Sequence, residues 1–84
     1  MWIVYVIYNR ESKRLYIGET SNLVRRLLEH NQKRGRHFTA KFIGTWELVY
    51  KEAVNTRKEA LVREKQLKSY RGREFIKKLI SFPL

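Results

Sequence analysis

The chain opens on an unbroken apolar run, Trp2-Ile3-Val4-Tyr5-Val6-Ile7-Tyr8, rich in β-branched and aromatic side chains. A run with no polar face predicts a strand covered on both sides, hence a central one. Alternation puts Tyr5 on one face with Ile3 and Ile7, and Trp2, Val4, Val6 and Tyr8 on the other. The polar stretch Asn9-Arg10-Glu11-Ser12-Lys13 breaks the run, and Arg14-Leu15-Tyr16-Ile17-Gly18 returns as an antiparallel partner. That hairpin brings Tyr5, Tyr16 and Gly18 near one another. The loop is too long to fix whether the two tyrosines lie opposite each other.

After Gly18 the period changes from two to 3.6. Thr20, Ser21 or Asn22 can cap a helix whose apolar side is Leu23, Val24, Leu27 and Leu28. With Leu23 at zero, Arg26 falls at about 300° and His30 at about 340°, along the edge of that face, while Arg25 at about 200° points to solvent. The helix should end near Asn31 to Lys33, before the basic loop Lys33-Arg34-Gly35-Arg36-His37. Phe38 and Phe42 suggest a short helical turn closed by Gly44. Trp46, Leu48 and Tyr50 alternate with Glu47, Val49 and Lys51, the pattern of a half-buried third strand.

Thr56-Arg57-Lys58-Glu59 is a capping box that opens the longest helix. Ala60, Leu61 and Leu67 define its predicted buried stripe, and Glu64, at about 40° from Ala60, falls inside it. A buried carboxylate without partners is very costly, so Glu64 should meet a cation, hydrogen-bond donors or a metal. Glu59 is by comparison a surface acid. Gly72 is expected to stop the helix, with Phe75, Ile76, Leu79 and Ile80 inward on a last helix from Arg73 to Ile80 and Pro83 beyond it. The order is β-β-α-β-α-α: an α+β fold with a three-stranded antiparallel sheet flanked by helices, over residues 1–84 as one domain.

Charge narrows the partners. Lys and Arg number 19 against 8 acids, a net charge of +11. That density of positive charge favours polyanions, chiefly nucleic acid, over a membrane surface. No segment approaches the roughly 18 apolar residues of a membrane span. The absence of cysteine excludes disulfides and thiolate metal sites. With no basic leader ahead of Trp2, the expectation is a cytoplasmic monomer. Arg34, Arg36 and Lys41 cluster as a candidate phosphate track, with Arg25 and Lys68 as further nucleic-acid contacts.

The inward polar set is Tyr5, Tyr16, Arg26, His30 and Glu64. A phenol beside a cation or metal can act as a general base. A carboxylate with water ligands can seat Mg²⁺, and an arginine can steady a phosphoryl group. The same residues have plainer readings: core tyrosines with routine partners, an Arg26–Glu64 ion pair between helices, and a hydrogen-bonded supporting His30. Periodicity and composition therefore reach a nucleic-acid-binding α+β domain with a possible hydrolytic site.

Specific motifs go further. Ile3-Val4-Tyr5 and Tyr16-Ile17-Gly18, followed in order by Asn22-Leu23, Arg26-Leu27, Glu29-His30-Asn31, Trp46-Glu47-Leu48-Val49-Tyr50, Glu59-Ala60 and Arg63-Glu64-Lys65-Gln66-Leu67-Lys68, resemble the GIY-YIG nuclease superfamily. The likeness is nearest to its small stand-alone bacterial members. It implies an endonuclease that hydrolyses DNA phosphodiester bonds with one divalent cation, Mg²⁺ or Mn²⁺. Tyr5 or Tyr16 would be the general base, Arg26 would steady the phosphate, Glu64 would bind the metal and His30 would support. Ile3 replaces the first motif's glycine, and Glu19 stands where repair members carry lysine. The alternative is a non-catalytic nucleic-acid-binding or partner-recruiting module, in which a protein partner supplies specificity.

Overall fold

The computed structural model describes residues 1–32 and 38–80, and of Ile80 the backbone alone. Arg34, Gly35, Arg36 and Pro83 therefore lie outside the described residues. Seven elements follow in order: β1 (Trp2–Asn9), β2 (Arg14–Thr20), α1 (Leu23–Gln32), a 3₁₀ turn (Phe38–Lys41), β3 (Trp46–Val54), α2 (Arg57–Lys68) and α3 (Tyr70–Ile80). The sheet is antiparallel in the order β2-β1-β3, so the continuous apolar run is the central strand. The chain is an α+β fold of three strands flanked by helices.

Both faces of β1 are covered, each by a different cluster. Val4 and Val6 join Ile17, Ala60, Leu67 and Ile76 beneath α2 and α3. Tyr5 and Ile7 join Trp46, with Ile3, Tyr16, Leu23, Leu27 and Phe42 packed around them beneath α1. The register sets Tyr5 opposite Gly18 and Ile7 opposite Tyr16. The tyrosines are thus diagonal neighbours on the α1 face.

The third strand departs from simple alternation. Between β1 and β3 the register shifts at Val6/Ile7: Ile7 pairs with Leu48, whereas Val6 pairs with Tyr50, leaving Val49 as the extra residue of a bulge. A bulge reverses which face the following residues take. Trp46 consequently packs under α1, and Tyr50 and Val54 pack under α2 and α3.

The helical faces are narrower than periodicity suggested. On α1, Leu23 and Leu27 pack inward, but Val24 is 73% and Leu28 56% exposed. His30, expected at the edge, is fully buried instead. Asn22 is the cap, its Oδ1 accepting from Arg25 N at 3.1 Å. On α2 Thr56 caps the helix as read, Glu59 N donating to Thr56 Oγ1, but the Glu59 carboxylate accepts from the Thr56 hydroxyl in place of its backbone N–H, while Leu61 lies exposed. Phe75 and Leu79 are also largely exposed, and Ile76 alone of the described α3 apolar residues is fully buried.

Gly72 does not stop a helix. Lys68 ends α2, Ser69 follows in extended conformation, and Gly72 sits in the first turn of α3. A Cβ there would lie 2.3 Å from Gln66 O and 2.4 Å from Leu67 Cα, so only glycine lets α3 fold back this closely on the end of α2. This sharp return sets the α3 cations beside the last turn of α2.

Candidate active site

The hairpin's residues assemble under α1. Tyr5 and Tyr16 present their rings 6.3 Å apart, centroid to centroid. A Cβ on Gly18 would lie 2.8 Å from Tyr5 Oη and 2.9 Å from Tyr16 Cε1. Glycine is required at that position because the two phenols occupy the space a side chain would take. His30 comes down from α1 onto both rings, its own ring 5.8 Å from that of Tyr5 and 4.9 Å from that of Tyr16.

A buried hydrogen-bonded chain runs back from Tyr5. Tyr5 Oη lies 2.7 Å from His30 Nε2, and His30 Nδ1 lies 2.7 Å from Thr39 Oγ1. In a neutral imidazole one nitrogen donates and the other accepts, so the chain admits two complementary proton arrangements. Thr39 is itself held where the Trp46 indole N–H donates to its carbonyl at 3.2 Å. Asn31 brackets the same tryptophan, accepting from Trp46 N at 2.7 Å and donating to Trp46 O at 3.1 Å. Sequence reasoning missed Thr39: a lone threonine after a basic loop carries no periodic signal.

Burial pushes the Tyr5 phenol above its ordinary value, with Tyr16 adding to the rise and Arg26 opposing it. For the Arg26 guanidinium, burial acts downward, but attraction to Tyr5 and Tyr16 outweighs it and holds the group firmly protonated. Arg26 also pairs with Glu29 at 3.6 Å. The phenols, imidazole and guanidinium therefore form one electrostatic unit.

Glu64 belongs to the other layer. Its side chain retains 17% exposure and its Oε1 accepts from Lys68 Nζ at 2.6 Å. It is thus neither unpartnered nor joined to Arg26: the inter-helix ion pair considered for these two does not form. Lys68 in turn lines a cavity along the outer edge of β2, where the two layers meet. Lys13, Arg14, Arg73 and Lys77 supply its other cations, and Tyr16 and Phe38 its aromatic wall. Phe38 stacks on Tyr16 at 6.2 Å. Four of these five cations were not singled out from sequence, because they converge only through the hairpin and the α2–α3 return. Arg25 and Lys41 are exposed elsewhere and do not line it. Glu19 pairs with Val4, on the face away from the tyrosines, and approaches Arg57 at 3.9 Å.

Comparison with known proteins fits this arrangement. The family model of the GIY-YIG catalytic domain matches residues 1–78. The chain belongs to the GIY-YIG family. Among curated relatives, a UPF0213 protein of Staphylococcus epidermidis is 34% identical over 74 residues, 88% of each chain. One from Staphylococcus saprophyticus is 33% identical over 78 residues, 93% of this chain and 92% of its own. One from Desulfotalea psychrophila is 38% identical over 80 residues, 90% of this chain and 71% of its own. No solved structure matches the chain.

Membership of the GIY-YIG family implies a divalent cation. Among the described residues no group of three or more His, Asp or Glu side chains could enclose one. A single half-buried carboxylate suits Mg²⁺ or Mn²⁺ all the same, since such ions keep several waters and draw other ligands from substrate phosphates. Glu64, beside a cationic cavity, fits that description.

Proposed function

We propose that the protein is a metal-dependent hydrolase of nucleic-acid phosphodiester bonds, DNA before RNA, with its centre where Tyr16 meets the cationic cavity. One observation carries this reading. Tyr16, packed against Tyr5 and His30, lines a cavity whose other side carries cations and leads, through Lys68, to Glu64.

Roles follow from position. Tyr16 lines the cavity, which supports its phenol as the group that takes a proton from an attacking water. Tyr5 is buried, held by His30 and pushed up by burial, which suits it to orient its neighbour and hold a proton. Arg26, charged and close to both rings, steadies negative charge on the phosphoryl group. Glu64 would hold the divalent cation, which when bound supplies Lewis-acid charge to the phosphate. Lys13, Arg14, Arg73 and Lys77 bind the phosphate backbone on either side.

A second reading keeps the fold without catalysis, and the Glu64–Lys68 pair favours it, because that pair satisfies the carboxylate as a plain surface contact would. One experiment separates the two. Purified protein with Mg²⁺ or Mn²⁺ is incubated with duplex, single-stranded and branched DNA and with RNA. Cleavage is expected on at least one substrate, abolished in Glu64→Ala while binding persists. Wild type no more active than Glu64→Ala on all of them leaves the binding module standing.

A further inference from the structure

Lys68, whose ammonium bonds to Glu64, also lines the cavity. At 2.6 Å its ammonium takes up Oε1, one of the two carboxylate oxygens, neutralises the charge that would attract a divalent cation and repels a cation approaching the same carboxylate. The other charged side chains lining the cavity are all cations, Lys13, Arg14, Arg73 and Lys77, and Lys77 is drawn off toward Glu74 at 3.4 Å. Released from Glu64, the Lys68 head would have phosphate as its natural partner in that cavity.

We propose that Lys68 is an exchangeable counter-ion. It neutralises Glu64 until a divalent cation displaces it, and it then serves as a phosphate ligand in the cavity. The proposal rests on the reading of Glu64 as the metal's seat. It makes metal and nucleic acid cooperative: each draws one member of the pair away and leaves the other free, and by linkage the help is mutual. A lysine that merely supports α2 at i,i+4 spacing predicts no such coupling.

Mn²⁺ binding to the nucleic-acid-free protein, followed by electron paramagnetic resonance, is the direct test. Lys68→Gln should tighten Mn²⁺ binding roughly two- to fivefold, the range of a partly exposed ion pair. Lys78→Gln, the same charge change on an exposed α3 lysine, should leave it nearly unmoved, and Lys68→Arg should stay near wild type. Unchanged or weaker binding in Lys68→Gln overturns the proposal while Glu64 remains the metal's seat. Unchanged Mn²⁺ binding in Glu64→Gln overturns that reading and the proposal with it. A double-mutant cycle in EDTA adds an independent readout. Glu64→Gln should tighten oligonucleotide binding by freeing Lys68, and the gain should vanish in Glu64→Gln/Lys68→Gln. A gain of the same size without Lys68 is simple charge removal and would sink the exchange.

Discussion

Tyr5 is where folding and chemistry meet in one side chain. Its phenol sits among Ile7, Trp46 and His30 at almost no exposure, and burial raises it above the ordinary 10.0 of a free tyrosine. Because the folded-state value is the higher one, the unfolded chain loses this proton first as pH climbs. Stability contributed by the neutral phenol is complete below about pH 10 and falls as pH rises beyond it. Tyr5→Phe should therefore be less stable than wild type at neutral pH, by about 1 kcal/mol for the lost His30 hydrogen bond. It should also lose stability less steeply than wild type between about pH 10 and 11.5, measured by urea denaturation. Parallel slopes for the two proteins would show that Tyr5 does not titrate with unfolding. Arg26→Lys addresses the other half of the unit. A point charge cannot serve two phenols and a phosphate as a planar fork can, so cleavage should fall by about 10²-fold or more with little change in stability.

Among the elements, the return from α2 to α3 is the most constrained. In an open helix Gly→Ala stabilises by up to about 1 kcal/mol. At Gly72 the added methyl would meet the backbone of Gln66 and Leu67 at 2.3–2.5 Å, and overpacking of that kind costs roughly 1–3 kcal/mol. The steric term wins. Gly72→Ala should lower the thermal midpoint by several degrees in a calorimetric scan, and a rise would show the two helices free to part. Sequence reading caught the glycine but not its use, since a helix stop and a close crossing demand the same residue. The β1 strand was legible because coverage on both faces leaves an apolar run with no solvent period. The bulge at Val49 was not, because an apolar residue suits either face of β3. Glu64 was correctly read as needing a partner, yet its partner is a neighbour one turn away on α2, which a helical wheel centred on apolar residues does not weigh. Tyr5, Tyr16, Arg26 and His30 were legible as inward polar groups, whereas Thr39 and the cavity's Lys13, Arg14, Arg73 and Lys77 depend on how distant segments meet.

Taken whole, the molecule concentrates cations from the hairpin, α2 and α3 along one sheet edge, on a chain of net charge +11. Binding of duplex DNA should weaken steeply with salt, with a logarithmic slope of about −3 to −5 if most of the five cavity cations reach phosphates. Neutralising Arg73 or Lys77 should each reduce that slope by about 1, read by fluorescence anisotropy. A flat response would instead indicate a protein surface as the partner. The placement of β1 has a further consequence. Its backbone is bonded to strands on both sides and its two faces are roofed by separate clusters. Amide hydrogens of Val4 to Ile7 should accordingly exchange only through global opening, while those of α3, most of whose side chains face solvent, exchange through smaller local events. Mild warming or dilute urea would then loosen α3, which carries the cavity's Arg73 and Lys77, before it disturbs the tyrosines under α1. The cavity would lose its α3 cations first, with the tyrosines still in their native environment.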